Sequence, residues 1–170
     1  YPPGPDLALG VMTVIFGNQS IVVLRMLPLL VGLIGLSVLA WGLARSMGDA
    51  KAAMILCTCA PVPAFSNMMH GLHYQGYAYA LLLAELGVLM IMFSPQRHTR
   101  RWSYISLGTL GFFQGWLSFD FCFLVCLAPL PMGLIYLGRP GTLRRVVASI
   151  FVLGVGFTIA HALHFIQVTA

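Results

Sequence analysis

Every lysine and arginine except Arg25 falls into one of three short clusters: Arg45 with Lys51, Arg97 with Arg100 and Arg101, and Arg139 with Arg144 and Arg145. Long, nearly uncharged apolar runs separate them. The alternate connections, Ser66 to His73 and Leu117 to Asp120, hold no lysine or arginine. A membrane-spanning helix needs about 20 mostly apolar residues to cross a hydrocarbon core about 30 Å thick. Runs of that kind, with basic residues at every second junction, describe a chain threading a membrane with its basic loops on the cytoplasmic side.

Composition excludes the soluble alternative. Only 8% of the 170 residues are charged and 59% are hydrophobic, whereas a soluble domain carries roughly 25% charged residues. The net charge of +5 therefore reads as a topology signal and a set of anionic-lipid contacts. No basic face with interleaved aromatics is present, so nucleic acid is not expected as a partner. The opening Tyr-Pro-Pro-Gly-Pro has no basic n-region with a cleavage site and does not read as a signal peptide. Both termini abut apolar or proline-rich sequence, and the chain reads as an internal piece of a longer protein.

The expected fold is all-α, a multipass transmembrane bundle of about six spanning helices plus an N-terminal juxtamembrane helix. All 170 residues belong to one transmembrane domain. Residues 1–20 form an outer-face lead-in and interfacial helix, because Leu7 to Phe16 is apolar but too short to span. Residues 21–168 hold the six spans: Ile21–Ala44, Ala52–Phe65, Tyr74–Phe93, Trp102–Trp116, Phe121–Leu137 and Val146–Val168. Gly111-x-x-x-Gly115 predicts close helix packing in the fourth span. Asn18-Gln19-Ser20 matches a glycosylation sequon, which matters only in a eukaryotic secretory compartment.

The uncommitted polar residues gather on the outer face. Arg25, one turn into the first span, either snorkels to the headgroups or pairs a phosphate. His70-Gly-Leu-His73 and His161-Ala-Leu-His164 are two His-x-x-His pairs near outer helix ends. Imidazoles three apart share a helix face, but neither pair has an accompanying carboxylate, and no metal site is expected. Tyr74 follows the first pair. Asp120 serves as the N-cap of the fifth span or as a substrate contact. Glu85 falls in the middle of the third span, where a charge costs about 2.5–3.5 kcal/mol on insertion scales. It is either a neutral group bonded to a neighbouring helix or a proton or ion relay. Cys57, Cys59, Cys122 and Cys126 lack redox or zinc spacing and read as small packing residues.

Several short motifs occur in an order that resembles one family. A Pro2-Pro3 segment precedes a short apolar helix closing in Phe16-Gly17. Arg25-Met26-Leu27-Pro28 heads the first span, Leu43-Ala44-Arg45 ends it, and Tyr77 to Leu83 opens the third as Tyr-Ala-Tyr-Ala-Leu-Leu-Leu. This order is similar to the GT-C superfamily of membrane glycosyltransferases, such as protein mannosyltransferases and aminoarabinose transferases. Tyr1 stands where many members carry His or Lys, and Ser118-Phe119-Asp120 replaces a polar or basic motif. The resemblance implies sugar transfer from a polyprenyl-phosphate-linked donor to an acceptor on the periplasmic or luminal face. The implied partners are membrane lipid and that donor, and the implied location is the bacterial inner (plasma) membrane. It further implies that Arg25, His70, His73, Tyr74 and Asp120 line the substrate cavity. The catalytic carboxylate of the family lies upstream of the Pro-Pro segment, so no catalytic residue is assigned, and the sequence requires no cofactor. The competing expectation is a multipass transporter or flippase using Glu85.

Overall fold

The computed structural model describes residues 4–17, 21–59, 74–94, 100–117 and 126–169, which are helical with no strand among them. The helices, in chain order, are α1 (Gly4–Phe16), α2 (Ile21–Met47), α3 (Asp49–Cys59), α4 (Tyr74–Phe93), α5 (Arg100–Leu117), α6 (Pro129–Ile135) and α7 (Thr142–Thr169). Three are long and apolar enough to cross a membrane, over Met26–Met47, Gly76–Phe93 and Thr142–Thr169. At about 1.5 Å per residue, the 20 residues of α4 match the hydrocarbon thickness.

The other expected spans appear in part. The fourth is helical from Arg100 to Leu117, but its arginines, serines, threonine and glutamine leave it less apolar than the three long helices. The second is represented by the 11 residues of α3 and the fifth by the 7 residues of α6. Residues 60–65 of the second run and 121–125 of the fifth lie outside the described residues. The helix expected to be juxtamembrane is α1, at 13 residues too short to span. It ends where Gly17 takes a φ of 59° and its N–H donates to the Thr13 carbonyl at 2.9 Å, a left-handed helix stop.

Glycine contact seals the bundle into two helix pairs. On α2 and α4, Gly35 lies against the Ala80 carbonyl, and a Cβ on Gly42 would stand 2.7 Å from the Gly87 Cα. On α5 and α7, a Cβ on Gly111 would stand 3.0 Å from the Leu153 Cα, and one on Gly115 3.2 Å from the Phe157 Cα. Gly156 faces back onto the Gly108 carbonyl. Small residues let backbones approach this closely, the usual device in lipid, where tails are as apolar as leucine. The expected role of Gly111 and Gly115 is met, with Gly108 extending the stripe.

The order of these contacts sets direction. Contacts advance together along both chains, 35 with 80 and 42 with 87, then 111 with 153 and 115 with 157. Both pairs are therefore parallel. The chain between Met47 and Tyr74 has to return to the end where α2 starts, and that between Leu117 and Thr142 to the end where α5 starts.

Helix α4 is the central element. It is buried over 67% of Gly76–Phe93, against 28% in each of the spans of α2 and α7. Ala80 and Gly87, seven apart, face α2. Leu89, Met92 and Phe93 join Leu107 of α5 with Val146 and Leu153 of α7 in the main apolar core. A second cluster of Leu43, Ala52 and Met90 ties the ends of α2, α3 and α4 together.

Candidate functional site

One end of the bundle collects the basic residues. The C-terminal ends of α2 and α4 meet the N-terminal ends of α3, α5 and α7 there, with Arg45, Lys51, Arg101, Arg139 and Arg144 exposed. Arg145 turns inward, and its Nη1 donates to the Met92 carbonyl at 3.4 Å. A guanidinium placed at the last carbonyls of a helix meets the negative end of its dipole. This grouping agrees with the sidedness expected from the loop charges.

The opposite end carries the starts of α2 and α4 and the finish of α7. Of the five residues expected to line a cavity, Arg25 and Tyr74 lie on α2 and α4, and the parallel pairing brings their backbone positions to this same end. His70, His73 and Asp120 lie outside the described residues. On α7, Nδ1 of His161 is 3.1 Å from the Phe157 carbonyl oxygen, and its ring stacks on Phe157 at 4.2 Å between centroids. His161 and His164 border an open groove of about 520 Å³ with Thr158 and Phe165. No group of three or more His, Cys, Asp or Glu side chains suited to a metal occurs among the described residues. Neither Cys57 nor Cys126 is in a disulfide.

Between the two ends runs a buried polar track. Ala78, Glu85 and Met92 are seven residues apart, two turns each, and so share one stripe of α4. At the first, the Gln114 side chain of α5 donates to the Ala78 carbonyl at 3.0 Å. At the last, Arg145 reaches the Met92 carbonyl, and the Ser149 hydroxyl lies 3.8 Å from the Met92 sulfur. Glu85 sits midway and is 1% exposed.

No family model, curated protein or solved structure matches the chain. Glu85 Oε1, Gln114 Oε1 and the Tyr77 hydroxyl are buried without a protein hydrogen-bond partner among the described residues. Buried polar atoms are nearly always paired, so these orphans on α4 and α5 are a departure. Sequence reasoning finds Glu85 from its charge but passes over Gln114. The available signal was that Gln114 is the lone amide between Trp102 and Leu117.

Proposed function

We propose that this chain forms the membrane-embedded part of a GT-C-like glycosyltransferase. It takes a sugar from a polyprenyl-phosphate-linked donor to an acceptor on the periplasmic or luminal face. The observation that carries the reading is the common end shared by the starts of α2 and α4, opposite the arginine-rich end. The positions of Arg25 and Tyr74 share that end, and in this reading it is the outer side, where a lipid-linked donor presents its phosphate. Two parallel pairs also support the six-crossing arrangement, since each parallel neighbour demands a return across the bundle.

In this reading Arg25 holds the lipid phosphate by a charge-assisted hydrogen bond, and His70, His73, Tyr74 and Asp120 contribute to the cavity wall. The reaction is displacement at the anomeric carbon. The acceptor hydroxyl or amine attacks, the bond to phosphate breaks, and a carboxylate outside this chain receives the acceptor proton. Hydrogen bonds to charged groups contribute about 1.5–3 kcal/mol. Arg25→Ala in the full-length protein is thus expected to lower transfer from polyprenyl-phosphate sugar by about 10- to 100-fold, with Arg25→Lys recovering part of it. Unchanged transfer by the alanine variant would remove Arg25 from donor binding.

One observation favours a second reading, a transporter or flippase: the orphaned carboxyl oxygen of Glu85 in the middle of the most buried span. That reading expects Glu85 to meet a water-filled path during turnover. A Glu85→Cys variant, made in a background lacking Cys57, Cys59, Cys122 and Cys126, would then react with an aqueous maleimide. Complete protection in membranes, with labelling after denaturation, discards the transporter.

A further inference from the structure

The turn between α6 and α7 is built rather than merely connecting. The Arg139 N–H donates to the Tyr136 carbonyl at 3.0 Å and the Thr142 N–H to the Arg139 carbonyl at 3.3 Å. The Thr142 hydroxyl closes the loop with a 2.8 Å bond to the Tyr136 carbonyl. Gly141, at a φ of 78°, supplies the left-handed step that a side chain would resist. The Arg139 guanidinium lies 4.6 Å from the centre of the Tyr136 ring, which in turn stacks on Phe93 at 6.0 Å. A cation held over an aromatic face is thereby fixed at the end of the bundle that carries the basic loops.

Beside this turn, α6 and the first turns of α7 enclose a groove of about 520 Å³, within the roughly 300–1,000 Å³ range of ligand sites. Its floor is Gly133 and Val146, both buried, and its walls are Leu130, Leu134, Leu137 and Leu143, all exposed. Gly133 keeps the floor open, because a Cβ there would stand 2.5 Å from the Val146 Cγ2. Arg139 follows Leu137 of the groove by two residues and Arg144 follows Leu143 directly, and both arginines are exposed. No Asp or Glu occurs between Phe121 and Ala170, so this stretch supplies no acidic side chain to balance them.

We propose that this groove binds one anionic phospholipid of the cytoplasmic leaflet, an acyl chain lying along the leucines and the phosphate meeting Arg139 and Arg144. Charge complementarity and depth choose the occupant. The groove lining is apolar apart from Thr142, the exposed Arg139 and Arg144 adjoin it in sequence, and anionic lipids occupy the cytoplasmic surface. The site is separate from the outer-face donor cavity and stands whether or not this chain belongs to a glycosyltransferase.

Native mass spectrometry of the full chain, released from nanodiscs of equal parts phosphatidylcholine and phosphatidylglycerol, tests it. One phosphatidylglycerol is expected to stay bound in preference to phosphatidylcholine. A basic residue near an anionic surface is worth about 1 kcal/mol, so Arg139→Gln with Arg144→Gln should weaken retention about fivefold per arginine. Arg45→Gln with Lys51→Gln removes the same charge from the same end away from the groove, and should change retention less than twofold. Equal losses from both pairs would mean diffuse surface attraction and overturn the site. Equal retention of the two lipids, or release of a lipid-free dimer that covers the groove with a second copy, would also overturn it. A dihexanoyl analogue of the lipid held as well as the long-chain form would remove the groove from the proposal.

Discussion

Gly87→Leu abolishes the folded bundle. A Cβ at Gly87 would stand 2.6 Å from the Val38 carbonyl carbon and 2.8 Å from the Leu39 Cα, and these are backbone atoms with no rotamer to change. A single added methyl in a tight contact costs about 1–3 kcal/mol, the expected loss for Gly87→Ala. A leucine forces the helix axes apart over the whole pair and enters the range above about 4 kcal/mol reserved for exceptional substitutions. The contrast is Gly154→Ala on α7, where nothing lies within 4 Å of the new Cβ. That change is neutral or stabilising by up to about 1 kcal/mol through helix propensity. Thermal unfolding in detergent followed by size exclusion reads both. A Gly87→Leu protein melting with the wild type would mean that α2 and α4 do not touch.

Glu85→Leu leaves the bundle at least as stable as the wild type, whereas Glu85→Lys disrupts it. The Glu85 side chain is 1% exposed and its Oε1 has no partner among the described residues. An unpaired buried polar atom costs about 1–3 kcal/mol, and replacing such a group by an apolar one of similar volume is often neutral or favourable. A lysine at this depth has no short route to a headgroup and costs about 2.5–3.5 kcal/mol. Reversible unfolding in mixed micelles, or forced separation of the helices in bicelles, measures the difference. A large destabilisation by leucine would show that Glu85 makes a stabilising contact. A stable but inactive leucine variant would place its value in function.

The helices were legible where one residue type decides the outcome locally. Helix α4 begins at Tyr74 and ends at Phe93 as the apolar run does. Helix α2 continues past Ala44 to Met47, because Arg45 and Ser46 are tolerated in its last turn until Gly48, at a φ of 90°, ends it. Helix α7 starts at Thr142 rather than Val146. Gly141 sets that start, and Arg144 and Arg145 lie in its first turns. Periodicity could not reveal that Gly35 meets Ala80 or that Gly42 meets Gly87, since these are relations between distant segments. For the same reason Gln114 escaped notice: its meaning comes from the Ala78 carbonyl on another helix. Of the five residues expected to line a cavity, the sequence supplied the positions of Arg25 and Tyr74 in their helices. It carried no information that these two helices run side by side in the same direction.

The glycine seams have a thermodynamic consequence. Glycine and alanine have no rotamers to lose, so joining α2 to α4 through Gly35, Gly42, Ala80 and Gly87 freezes little side-chain freedom. In lipid, bringing two helices together withdraws little apolar surface from water, and the attraction is mainly dispersion and weak Cα–H···O contact. The pairing therefore draws its strength from how well two surfaces fit, with only a small opposing loss of disorder.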